Sequence, residues 1–224
     1  MEKKRILIVS AHPDDEVIGC GGTILKHKEA GDEIFWLIVT NIKEEYGWEK
    51  EFVEKRQTEI KLVSELFGFK EYIKLDFATT LLDTIPMGDI VKAIAIVMKK
   101  VQPIEIYVVN RSDVHTDHKI VFQAVYSCTK NFRFPFIKKV LMYECISETE
   151  YAPALPENIF IPNTFIDITN FFKKKLEITK LYKSELMADV EPRSINGIEA
   201  LARYRGSRIG VKYAEAFQLI FEHR

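Results

Sequence analysis

Arg5-Ile6-Leu7-Ile8-Val9-Ser10-Ala11-His12-Pro13-Asp14-Asp15-Glu16 is the stretch whose reading decides how this chain folds. Within Arg5–Ser10 the residues Ile6 to Val9 are aliphatic without polar alternation, the pattern of a strand buried on both faces of a parallel sheet. The run then stops at one imidazole and three carboxylates. It is too short for the apolar core of a signal peptide, and the acids that follow it would be neither discarded nor buried in lipid. Glu16–Ala30 reads as a helix closed by Gly31.

Working outward, Glu33–Thr40 reads as a second strand and Glu51–Phe67, ended by Gly68, as a second helix. Tyr72–Leu75 is a short strand, Met87–Val101 a helix, Ile104–Val109 a strand, His118–Lys130 a helix and Lys139–Cys145 a strand. Such alternation predicts parallel strands joined by right-handed crossovers. The expected class is α/β, a Rossmann-like, mostly parallel sheet with helices on both faces. Ligands of such sheets bind beyond the carboxyl ends of the strands, and the richest polar segments here follow strands one and four.

Beyond Ser147 the pattern loosens, and Pro153, Pro156 and Pro162 punctuate a loop and cap region. Phe165–Ile168 is expected as a strand and Asn170–Met187 as a helix, with Lys173–Lys175 on its solvated face. Ala214–Phe221 is expected as a last or edge strand. With no repeat, low-complexity tract or linker, residues 1–224 are expected to form a single domain. Residues 1–147 would be its Rossmann-like core and 148–224 its cap and C-terminal elements.

The 224 residues carry 32 Lys+Arg against 33 Asp+Glu. That balance argues against a general nucleic-acid binder, which shows a basic excess. No apolar stretch reaches the length of a bilayer span. Cys20, Cys128 and Cys145 are odd in number and widely spaced, so neither a disulfide framework nor a zinc ribbon is expected. Reduced thiols in a cytoplasmic protein are the expectation. A homo-oligomer is compatible with all of this.

Three acids beside His12 at the mouth of a buried strand are costly without counter-charge. A helix N-terminus supplies part of it, and a divalent cation would supply more. An acidic N-cap accounts for Asp14 to Glu16 as well, but leaves His12 idle. Gly19-Cys20-Gly21-Gly22 comes too late after the strand for a dinucleotide fingerprint. Those glycines are read instead as room for close helix–sheet packing.

Asn110 to His118 follows strand four, and three of the five histidines (His12, His115, His118) fall in these two segments. His27 and His223 have no such company and are read as surface residues. Two imidazoles and one carboxylate with an open position form the donor set of a catalytic zinc. Here the set would be His12, Asp15 and His118. Asp14 is then the candidate general base, and His115 the cationic or hydrogen-bonding partner of a developing oxyanion. Asp117 or Asp113 would hold an imidazole in its required tautomer.

At these residues the chain resembles the PIG-L/LmbE family of zinc-dependent N-deacetylases. The family's A-H-P-D-D-E stands at Ala11–Glu16 and its H-x-D-H at His115–His118, with Thr116 where Pro is usual. Arg56 and Glu59 match further, as does the late run from Arg205 to Phe217. The resemblance implies a Rossmann-like fold and a site with Zn2+, or another divalent transition metal, on His12, Asp15 and His118. It also implies Asp14 as base, His115 at the oxyanion, and removal of an acetyl group from an N-acetylglucosamine-type sugar or glycoside. The partner is thus a small amino-sugar conjugate. Arg56, Glu59 and Arg205 are candidate substrate contacts; a purely structural late run would instead pair Glu215 with an arginine and bury Phe217. Tyr46 and Trp48 are exposed loop aromatics on which a sugar ring could stack. Two other classes stay in view: a magnesium-dependent phosphoesterase or phosphoryl-transfer enzyme using the acids, and a non-catalytic sugar- or nucleotide-binding module.

Overall fold

In a computed structural model that describes residues 3–223, the chain runs β1 (Arg5–Ser10), α1 (Asp15–Glu29), β2 (Glu33–Asn41), α2 (Lys50–Phe67), β3 (Glu71–Ala78), α3 (Met87–Val101), β4 (Glu105–Val109), α4 (Thr116–Ser127), β5 (Lys139–Tyr143), β6 (Thr164–Asp167), α5 (Phe172–Thr179), α6 (Ile195–Ser207) and β7 (Ala214–Glu222). The strands form one sheet in the order β3-β2-β1-β4-β5-β7-β6. β1 to β5 pair in parallel, and β7 lies antiparallel between β5 and β6. The expected α/β class, with a mostly parallel sheet, is borne out. α1 packs on α2 and α5, and α3 on α4; right-handed crossovers put these two groups on opposite faces.

β1 is the middle one of the five parallel strands. Ile6, Leu7, Ile8 and Val9 are fully withdrawn from water, with Ile8 in register with Trp36 on one side and Tyr107 on the other. The chain leaves β1 toward β2 and leaves β4 toward β5, in opposite directions. The connections after these two neighbouring strands therefore diverge and open a crevice at the sheet's carboxyl edge. That crevice receives both polar segments.

The glycines after the acidic turn do set a close approach. A Cβ on Gly19 would fall 2.1 Å from the Tyr143 ring and 2.9 Å from the Glu144 carbonyl, and one on Gly22 would fall 2.6 Å from Ile168. Gly31 takes φ +79° behind α1, as a helix-ending glycine should.

Four expectations are corrected. The helix expected over Asn170–Met187 stops at Thr179, because Tyr182 turns inward to donate to Glu16 Oε1 at 2.9 Å. α6 was not expected at all; its buried stripe is only Ile198, Ala202 and Gly206, too thin to stand out as a periodic apolar face. Lys175, expected on a solvated face, is buried against Glu215, which therefore pairs with a lysine and not an arginine. His27 is half-buried, between Asp32 (2.7 Å) and the Tyr107 hydroxyl (3.0 Å), and His223 is half-buried too. Phe217 is in the core.

The glycine packing gives a paired test. Gly19→Ala must displace the Tyr143 ring or the Glu144 backbone and should cost about 1–3 kcal/mol as an overpacked site. Gly88, in the first turn of α3, has nothing within 4 Å of an added Cβ, so Gly88→Ala should stabilise by about 0.5–1 kcal/mol. Urea unfolding of the two variants checks both signs.

Candidate active site

The turn after β1 and the first residue of α1 carry His12, Asp14 and Asp15, and the loop after β4 with the first turn of α4 carries Asp113, His115, Asp117 and His118. A hydrogen bond of 2.9 Å between His12 Nε2 and Asp117 Oδ2 joins them. Asp117 also accepts from the Thr80 and Leu82 amides (2.8 and 3.3 Å), so the loop after β3 is drawn in too. His118 Nδ1 lies 2.7 Å from Asp113 Oδ2, and Asp113 Oδ1 is held by Asn110 Nδ2 and Thr149 Oγ1, each at 2.7 Å. Each imidazole thus has one nitrogen fixed by its own carboxylate.

The remaining nitrogens turn toward Asp15. His118 Nε2 lies 3.3 Å from Asp15 Oδ1, and His12 Nδ1 lies 4.0 Å from Asp15 Oδ2. One donor atom from each of His12, Asp15 and His118 falls within 4.8 Å of the others. Buried His118 Nε2 has no hydrogen-bond partner among the described residues, which is costly unless something else engages it. Burial resists a charge on His118, but the Asp15 and Asp113 carboxylates outweigh it and raise its pKa. Burial likewise opposes ionisation of Asp15, and the facing imidazoles overturn that, holding its carboxyl below the usual range. A cation between these groups would meet the same demand as a proton on His118.

Asp14 sits beside this cluster in a strained conformation, φ 125° and ψ −28°, which a non-glycine residue rarely adopts. The strain turns adjacent carboxylates apart, Asp15 toward the imidazoles and Asp14 toward Arg193 Nη1 at 3.3 Å. Burial, reinforced by the Asp15 charge, pushes the Asp14 pKa well above the carboxylate range, with Arg193 and Arg56 opposing. His115 caps α4: its Nδ1 accepts from the Asp117 amide at 3.1 Å. Burial and the neighbouring imidazoles press its pKa down to about 4. A neutral ring with Nδ1 accepting carries its proton on Nε2. His115 is therefore a hydrogen-bond donor and not the cation that the sequence also allowed.

The cavity holding these groups has a volume of about 250 Å³, and its walls include Trp48, Phe52, Arg56 and Arg193. Arg56 donates to the Pro13 carbonyl at 3.0 Å and pairs with Glu185, bracing the acidic turn from α2. Glu59 lies behind it, 3.3 Å from Arg56 Nε, and does not line the cavity. Arg205 forms a two-point pair with Glu144 (2.8 and 2.6 Å) and lines a neighbouring cleft. Trp48 stacks on Phe52 at the cavity wall, whereas Tyr46 turns away to the Asp76 carbonyl. Arg193 and Glu185 escaped sequence reasoning, since they sit among irregular turns with no motif. The Trp48–Phe52 pair was findable, being four residues apart where α2 begins.

The profile of the GlcNAc-PI de-N-acetylase family (PIG-L) matches residues 7–129, more than half of the chain. The chain belongs to that family. This PIG-L chain is 25% identical over 229 aligned residues to the diacetylchitobiose deacetylase of Thermococcus kodakarensis, across 97% of its own length and 83% of the relative's. Its fold is that of the N,N'-diacetylchitobiose deacetylase from Pyrococcus horikoshii (TM-score 0.77, 23% identity, 98% of this chain and 84% of that one). It is also that of GalB, the 4-carboxy-2-hydroxymuconate hydratase of Pseudomonas putida (TM-score 0.75, 21% identity, 99% and 98%). No helix among the described residues is long and apolar enough to cross a membrane.

Glu16 supplies a pH test of this buried turn. It is fully buried, and burial lifts its carboxyl from an ordinary 4.5 to about 8. Between these values the folded chain keeps a proton that the unfolded chain releases, so stability falls as pH rises from about 4.5 to about 8 and then levels. Glu16→Gln keeps an acceptor for the Asp14 amide and has no proton to lose. In chelator-treated protein its stability relative to wild type should rise across that window and stay flat outside it; urea titrations at several pH values check this.

Proposed function

We propose that this PIG-L protein is a metal-dependent N-deacetylase, hydrolysing the acetamido group of an N-acetylglucosamine-type sugar or glycoside. The observation that carries this reading is the convergence of the buried His118 Nε2, which has no hydrogen bond of good geometry, with Asp15 and His12 while carboxylates hold the far side of both imidazoles. Two neutral imidazoles and one carboxylate suit zinc or a similar divalent transition ion better than magnesium. His12, Asp15 and His118 would hold that ion. When bound, it supplies Lewis-acid polarisation of the acetyl carbonyl and makes a water in the cavity easier to deprotonate.

The chain's own residues supply the remaining steps. Asp14 takes the proton of the attacking water on its carboxylate and returns it to the departing amine; burial, by raising its pKa, makes that carboxylate a stronger base than an exposed one. The His115 Nε2–H donates to the acetyl oxygen as it gains negative charge. Asp113 and Asp117 fix the tautomers of His118 and His12. The stacked Trp48 and Phe52 offer an apolar wall to the sugar ring.

The Thermococcus relative's name supports the substrate class. The hydratase that shares the fold is a reminder that the side chains, not the sheet, select the reaction. Three buried free thiols suit a reducing, cytoplasmic setting. The deciding experiment is a panel of N-acetylglucosamine conjugates scored for acetate and free amine, with phosphate release from phosphoesters measured in parallel. Acetate release is expected. Phosphate without acetate would replace the proposal with a phosphoesterase, and ligand binding without turnover would replace it with a binding module.

Asp14→Asn should bind Zn2+ within a few-fold of wild type yet lose roughly 100-fold or more in kcat, read by metal titration beside acetate release. His115→Asn keeps a good N-cap for α4, so its melting temperature should stay near wild type while kcat falls by roughly 100- to 1000-fold.

Asp113→Ala frees the His118 ring and should weaken Zn2+ binding by about 10- to 100-fold. In wild type, metal binding should displace the proton that Asp15 and Asp113 favour on His118, and so weaken as pH falls. Calorimetry in two buffers of different ionisation enthalpy measures that proton.

A further inference from the structure

Two sequence features find no place in the chemistry above: the cluster Gly19-Cys20-Gly21-Gly22 inside α1 and the late Tyr213-Ala214-Glu215-Ala216-Phe217. The structure joins them. α1 is broken at Cys20, whose φ −142° and ψ 21° are not helical. In a continuous helix the Gly22 amide would donate to the Ile18 carbonyl, four residues back. Here the Gly22 amide donates to Glu215 Oε1 at 2.8 Å, and the Ile18 carbonyl accepts from Lys175 Nζ at 2.8 Å. Lys175 and Glu215 pair with each other at 2.7 Å. A buried ion pair has thus been inserted into the helix's own ladder, one ion on each side of the break.

The insertion is completed by Thr23, whose amide and hydroxyl both donate to Glu215 Oε2 at 2.7 Å. Lys175 comes from α5 and Glu215 from β7, with 2% and 4% of their surfaces exposed. The glycines make room: a Cβ on Gly21 would sit 3.2 Å from the Lys175 side chain. The short segment before the break carries Asp15, Glu16 and Ile18, and Asp14 precedes it. Its direction relative to residues 21–29 is set by what occupies the break.

We propose that Lys175 and Glu215 are positioning residues for the site, acting through the broken helix to aim Asp14 and Asp15 into the cavity. Neither touches the reacting groups. Their role in turnover rests on the deacetylase reading; their hold on the acidic turn does not. A buried ion pair is weak evidence for stability, because neutral replacements of similar size are often as stable. That property lets position be separated from stability.

The test uses the double variant Lys175→Met with Glu215→Gln, and Thr23→Val as a milder companion that removes one bond to Glu215. In metal-free protein, hydrogen exchange of a peptide covering residues 12–22 should quicken in both variants, with peptides from β2 and β4 unchanged. Co(II) titration should show affinity lowered by about 10- to 100-fold in the double variant, with an altered visible absorption band. For acetate release, kcat should fall with KM nearly constant. Wild-type exchange over residues 12–22 together with wild-type Co(II) affinity in both variants would overturn the proposal, whatever their melting temperatures. If the double variant does not fold, Thr23→Val decides by the same readings. If wild type itself binds no Co(II), the deacetylase reading fails, and exchange alone decides whether the pair holds the turn.

Discussion

Asp14, Asp15 and Glu16 are consecutive acids at the end of a fully buried strand, with at most 5% of any of them exposed. Three carboxylates cannot be withdrawn from water side by side unless each finds a separate compensation. Asp14 faces two guanidinium groups, Arg193 and Arg56. Asp15 faces two imidazoles, each with one ring nitrogen turned toward it. Glu16 keeps its proton and accepts from Tyr182 and the Asp14 amide. Most of the architecture around the cavity consists of elements that supply one of these partners.

The sheet explains how partners from distant parts of the chain reach one turn. β1 and β4 are neighbours whose following connections diverge, so both loops face one crevice. The link from His12 to Asp117, and from Asp117 to the amides after β3, makes three strand ends into one rigid unit. The last third of the chain then closes the other side. It delivers Lys175, Tyr182, Glu185, Arg193 and Glu215 to the acidic turn or to the helix that carries it. The matched family region, residues 7–129, thus contains the candidate donor set with its nearest supports Asp113, Asp117 and Arg56, while residues after it add the partners of Asp14, Glu16 and the broken helix.

Sharing the fold with both a chitobiose deacetylase and a hydratase shows how little the backbone alone constrains the reaction. What constrains it here is local. One carboxyl is unengaged by the imidazole cluster and has a raised pKa, and a neutral imidazole beside it carries its proton on the far nitrogen. That combination is what the proposed deacetylation draws on.

The sequence by itself determined the α/β class, the mostly parallel sheet and the two polar segments that face each other at its carboxyl edge. The unbroken apolar run at Ile6–Val9 could only be a central parallel strand, and the histidines fell where two such strands end. These are local signals, carried by spacing and side-chain type within a few residues. Tertiary structure alone decided which acid serves which imidazole, because Asp113 and Asp117 are equivalent by spacing and differ only in what faces them. It alone placed Lys175, which reads as one of three surface lysines until α5 packs against the break in α1. It alone separated Arg56, at the cavity, from Glu59 and Arg205 outside it, and brought Arg193 to Asp14 from 179 residues away. The pattern of charges along a chain records which groups need partners; only the packing of distant elements fixes who the partners are, since burial creates that need and long-range contacts satisfy it.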